Sequence, residues 1–121
     1  MKLHCSMPKG LKIHCRSELD TYRTELAKGN LPKAWHHLER AHVLAQAWPR
    51  EHSYVHWRML LFGIHIKSGT EIIGQIPRLL VSGVKSFVGH IPVGNTGGAN
   101  VPPLLEMAIH EDLASILTTY K

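Results

Sequence analysis

The chain has 121 residues, 44% hydrophobic and 19% charged, a balance that supports one domain around one core and excludes global disorder. No stretch approaches the roughly 18 consecutive apolar residues of a membrane-spanning helix, and no apolar segment follows the basic start as a secretory signal requires. The expected address is therefore cytoplasmic. The net charge of +5 is concentrated at one end: Lys2, Lys9, Lys12 and Arg16 precede any acid, so the remainder is nearly neutral. Such a body lacks the basic face of a nucleic-acid-binding domain.

Residues 1–16 show no helical period and read as a basic, flexible leader, with the folded domain expected over 17–121. The leader contains a near-repeat, Lys2-Leu3-His4-Cys5 and Lys12-Ile13-His14-Cys15. Two imidazoles and two thiols are a zinc-type donor set, but adjacent pairs lack zinc-finger spacing. A first helix is expected over 17–28, capped by Ser17 and ended by Gly29 in a left-handed position. Asn30 caps a second helix running to about Ala47, with Pro32 tolerated in its first turn. Leu31, Ala34, Trp35, Leu38, Ala41 and Ala45 give it an apolar stripe, and Trp48-Pro49 ends it.

A third helix is expected from Arg50 or Glu51 to Lys67, with Val55, Met59, Phe62 and Ile66 inward. Gly69 stops it. Thr70 then caps a fourth helix whose inner face is read as Ile72, Ile73, Ile76, Leu79, Leu80, Val84 and Phe87. Pro77 inside that pattern predicts a kink or a late start. A long Gly-rich loop follows over 89–103, and a last helix over 111–119. The fold class is thus all-α, a compact bundle of about five helices. Its base is an antiparallel hairpin in which Gly29, Ala34, Leu38 and Ala41 echo one tetratricopeptide-type repeat.

Ten histidines are the unusual feature, since imidazole titrates near neutrality and is the commonest transition-metal ligand. Glu39 and His42 lie three apart on the second helix, and His52 and His56 four apart on the third. The short turn makes these helices antiparallel, and His42 and His56 are each seven positions from Pro49. They should therefore face each other roughly 10 Å from the turn. Glu39, His42, His52 and His56 thus form a candidate site for a divalent metal ion, zinc or iron. The same residues also suit a hydrogen-bonded core cluster or metal-free acid–base catalysis.

The stretch Gly94-Asn95-Thr96-Gly97-Gly98 lacks the P-loop ending and any preceding strand. Its clustered glycines can instead turn backbone N–H groups toward an anionic ligand, or let the chain pack closely on helices. These residues are the candidate cofactor-binding set.

Several segments together resemble the bacterial domain of unknown function 3703 family. They are His37-Leu38-Glu39-Arg40-Ala41-His42-Val43-Leu44, Val55-His56-Trp57-Arg58-Met59-Leu60, Gly74-Gln75 and Pro92-Val93-Gly94-Asn95-Thr96-Gly97-Gly98-Ala99-Asn100-Val101. The resemblance spans about residues 17–119 and leaves the leader outside. It implies a compact helical domain in the bacterial cytoplasm, encoded near heavy-metal efflux and resistance genes, and it names no activity. Three functional classes follow. The first is a metal-binding accessory protein using the Glu/His cluster, with His37 behind the ligands. The second is a helical module that grips a protein partner. The third is a metal-dependent hydrolase or oxygenase.

Overall fold

The computed structural model describes residues 7–82, 96–99 and 107–120. They form five helices: α1 (Lys9–Ala27), α2 (Leu31–Ala45), α3 (Pro49–His65), α4 (Gly69–Ser82) and α5 (Glu111–Thr119). No strand occurs among the described residues. Each of the first three helices packs on the next, and α5 lies against α1 and α2. Helix α2 is therefore central, and its small and apolar face explains how. Ala34, Leu38, Ala41, Leu44 and Ala45 are fully buried, and the alanines let neighbouring helices approach closely.

Helix α1 begins eight residues before the expected Ser17. Leu11, Cys15, Leu19 and Tyr22 recur at four- and three-residue steps and are all buried. A free cysteine packs as a small hydrophobe, and counting Cys15 as polar hides that period. Residues 9–16 thus belong to the folded domain, not to a flexible leader. His4 and Cys5 lie outside the described residues. Cys15 points into the core with its thiol pushed up to about 12, first by burial and then by the nearby Glu51 and Glu18 carboxylates. His14 instead meets the Tyr120 ring, with centroids 6.1 Å apart. The second His-Cys pair is therefore split between the core and a half-buried ring contact.

The turn after α1 matches expectation, with Gly29 at φ 77°. Its N–H donates to the Leu26 carbonyl, and that of Asn30 to the Glu25 carbonyl, which satisfies the helix end. Asn30 precedes α2, but its side-chain amide donates back to Glu25 instead of capping. At the α3–α4 corner, Lys67 (φ 58°), not Gly69, takes the left-handed position. There the Ser68 hydroxyl, not Thr70, accepts the first-turn N–H of Glu71.

Helix α4 departs most from the sequence reading. It starts at Gly69 and carries Pro77 in its interior. Ile73 and Ile76, read as inward, are 73% and 46% exposed, whereas Gln75 is fully buried. The polar stripe Glu71, Gly74, Gln75 and Arg78, at helical spacing, is turned to the protein, with Ile72 half-buried beside it; Val84, Phe87 and the side chains of Leu79 and Leu80, also read as inward, lie outside the described residues. Gly63 makes the α3–α4 approach possible, because a Cβ there would stand 3.1 Å from the Glu71 Cβ.

Candidate metal centre

The α2–α3 turn places one histidine of α2 opposite two of α3. His52 and His56 are one turn apart on α3, and His42 faces them from α2. Their Nε2 atoms form a small triangle, with His42–His52 2.8 Å, His52–His56 3.0 Å and His42–His56 3.1 Å apart. Ring centroids are 4.6–4.7 Å apart, so the three rings converge on their Nε2 corners. Each histidine is only 2% exposed. Among the described residues, these three are the group of His, Cys, Asp and Glu side chains close enough to share one ion.

The tautomer of His56 follows from its neighbours. Gln75 donates its amide N–H groups to Glu71 Oε2 (2.9 Å) and to the Gly97 carbonyl (2.8 Å). Both partners only accept, so Gln75 presents its oxygen to His56 Nδ1 at 2.6 Å. That oxygen requires a proton on Nδ1, which leaves the Nε2 of a neutral His56 as a lone pair directed at the other two imidazoles.

The triangle then has a parity problem. Each Nε2 either carries a proton or presents a lone pair. With three nitrogens in mutual contact, at least two must be of one kind, so at least one edge sets like against like. A cation shared by three lone pairs resolves all three edges at once. This donor set therefore fits a metal ion: neutral imidazole nitrogens are ordinary ligands for zinc and iron.

A segment of the glycine loop closes over the site. Gly97 is buried at φ 86°, and a Cβ added there would stand 2.5 Å from His42 Cδ2 and 2.7 Å from His42 Nε2. Only glycine allows this backbone so close to the imidazole. The Ala99 N–H donates to Glu71 Oε1 at 2.8 Å, so Glu71 and Gln75 tie the loop and His56 into one network. At Gly74, a Cβ would collide with Ala99, which explains a glycine in the middle of α4.

Of the residues singled out from the sequence, His42, His52 and His56 come together. Glu39 stands apart from the triangle, its carboxyl beside Thr96 and Trp35, with its pKa raised mainly by burial. Glu39 and Thr96 border a cavity of about 50 Å³ that His36 and His110 also line. His37 contacts Glu18 at 2.7 Å, away from the ligands. Thr96, Gly97 and Gly98 are described and adjoin the site, while Gly94 and Asn95 lie outside the described residues. Glu71 and Gln75 were missed as site residues. Their signal was the polar spacing 71, 74, 75, 78, masked by the neighbouring isoleucines.

No curated protein and no solved structure shows a significant match to the chain. A family model described as "Protein of unknown function (DUF3703)" matches residues 9–117, nearly the whole described fold, and the chain belongs to that family.

Proposed function

We propose that this protein binds a divalent transition-metal ion, iron or zinc, through the Nε2 atoms of His42, His52 and His56. The observation that carries the reading is the Nε2 triangle, whose edges of 2.8–3.1 Å cannot all be hydrogen bonds between neutral imidazoles. Gln75 acts behind the ligands: it holds His56 in the tautomer that leaves Nε2 free to coordinate, the usual office of an outer-shell partner. Glu71 orients Gln75 and anchors the Thr96–Ala99 strap. Glu39 is assigned to the wall of the site, not to the ion. A role in handling such ions agrees with the metal-resistance setting that the family resemblance implies.

The test is a competition titration of tag-free protein against a chromophoric chelator, with Zn(II) and with Fe(II) under anaerobic conditions. His52→Ala should weaken binding at least about a hundredfold, beyond the usual cost of losing an outer-shell partner. Glu39→Gln should stay within about threefold of wild type, since a wall residue gives up no metal bond. Wild-type protein that cannot compete with the chelator, or His52→Ala protein that binds as well as wild type, rejects the assignment.

A further inference from the structure

We propose a second binding site, for a small amphipathic anion, in the cleft between α1 and the first turns of α3. None of the three histidines lines this cleft, so the site stands independently of the metal-binding reading. The cleft has a volume of about 380 Å³, within the range of sites that enclose small organic molecules. Its lining grades from apolar to cationic. Met7, Leu19 and Val55 are buried, whereas Lys12 is half-buried and Arg16 and Arg50 are exposed. A ligand seated there meets an apolar base and a basic rim.

The charge of this rim is not cancelled within the fold. Four cations and two carboxylates line the cleft. Asp20 holds Arg23 at 3.0 Å, and Arg23 also donates to the Tyr54 hydroxyl at 3.2 Å. Among the described residues, no carboxylate pairs with Lys12, Arg16 or Arg50. Their placement is also locally unfavourable. Lys12 and Arg16 are like charges one turn apart on α1. Arg50 sits in the first turn of α3, at the positive end of the helix dipole. One anionic group bound at the rim turns these repulsions into attractions, and a guanidinium offers it a fork of N–H donors.

Glu51 adds a second polar requirement. It lines the same cleft, and its Oε2 is buried without a hydrogen-bond partner, which costs free energy until a donor arrives. The end torsion of a glutamate is soft, so a ligand N–H or O–H can draw that oxygen toward itself. The ligand class is therefore a compact apolar body that carries one anionic group and one hydrogen-bond donor. Lys12 and Arg16, part of the charge concentrated at the start of the chain, become ligand-facing groups of the folded domain.

The experiment is a fluorescence titration of the full chain with anilinonaphthalene sulfonate, an apolar ring system bearing one sulfonate and one N–H. Phenylnaphthylamine, the same skeleton without the sulfonate, is the neutral control. The sulfonate should bind saturably and at least about tenfold more tightly than the control, the scale of one charge-assisted hydrogen bond. An Arg16→Gln/Arg50→Gln variant, with its urea midpoint checked, should lose about tenfold in sulfonate affinity and bind the control as before. Glu51→Leu should weaken the sulfonate at least about threefold through the lost acceptor, although simple Coulomb repulsion predicts the opposite sign. Absence of saturable binding overturns the site, and equal affinities for the two probes overturn its anionic preference. Unchanged sulfonate affinity in the double-arginine variant places the probe elsewhere and rejects the assignment. Unchanged or tighter binding to Glu51→Leu overturns the donor contact.

Discussion

Replacing Gln75 by leucine separates the metal-site account from a purely structural one. Gln75 is fully buried and makes three polar contacts: to His56 Nδ1 (2.6 Å), Glu71 Oε2 (2.9 Å) and the Gly97 carbonyl (2.8 Å). Leucine has a similar volume, so the packing loss is small and the hydrogen-bond loss dominates. Each typical hydrogen bond contributes about 0.5–1.5 kcal/mol net, and a stranded buried group costs about 1–3 kcal/mol. The apo domain should therefore lose about 2–4 kcal/mol in urea unfolding, with an unchanged denaturant slope. The metal readout is the discriminating one. Without the Gln75 oxygen, His56 is free to move its proton to Nε2, where it blocks coordination. Losing such an outer-shell partner weakens metal binding about 10–100-fold, or about 1.4–2.7 kcal/mol at the ordinary conversion. Chelator competition in dilute buffer, where the variant remains folded, measures it. Gln75→Leu protein that loses stability yet keeps wild-type metal affinity would refute the tautomer argument, because His56 would then coordinate without its orienting partner.

Other expectations follow from the same geometry. Gly97→Ala forces alanine to φ 86° and drives its methyl into the His42 ring. Left-handed strain and overpacking together should cost about 2–4 kcal/mol in urea unfolding, and a wild-type midpoint would show that the strap does not pack as described. Leu11→Ala removes a side chain with no exposure and should cost about 2–5 kcal/mol; an unchanged melting temperature would return residues 9–16 to a solvated leader. In a Cys5→Ser background, Cys15 should resist iodoacetamide at neutral pH until the protein is unfolded, since its buried thiol is pushed up to about 12. The sign of its pH effect follows, because a raised thiol value means the folded state holds the proton more tightly. Its contribution to stability is complete below the ordinary thiol value of 9.0 and is lost as the pH climbs from there toward about 12. Fast alkylation of the native protein would contradict this.

The architecture was largely legible because α2 and α5 carry strong apolar periods, and the short turn at Pro49 fixed the facing of His42 and His56. Two regions resisted, each for a physical reason. The start of α1 was hidden because its repeat depends on a buried cysteine among lysines. At α4 the reading failed for Ile73 and Ile76, because hydrophobicity was taken to point inward, while Ile72 is half-buried. Here the inward face is polar, since Gln75 and Glu71 must reach His56 and the strap, leaving Ile73 and Ile76 exposed. For the same reason the ligand triangle could be approached from the sequence while the residues that orient it could not. Ligand pairs sit at helical spacing on a single hairpin, whereas Gln75 and Gly97 come from separate segments joined only by the fold. Glu39 shares the side of α2 with His42, but spacing alone could not show that its carboxyl turns onto Thr96 and Trp35.

The most direct test is elemental analysis of tag-free protein, wild type beside a His42→Ala/His56→Ala double variant, both checked for helix content. The account predicts about one divalent ion per chain in wild type and none in the folded variant, as three ligands to one ion require. Wild-type protein that carries no metal and takes up none of added Zn, Fe, Co or Cu would contradict it, and the three imidazoles would then be a hydrogen-bonded element of the core.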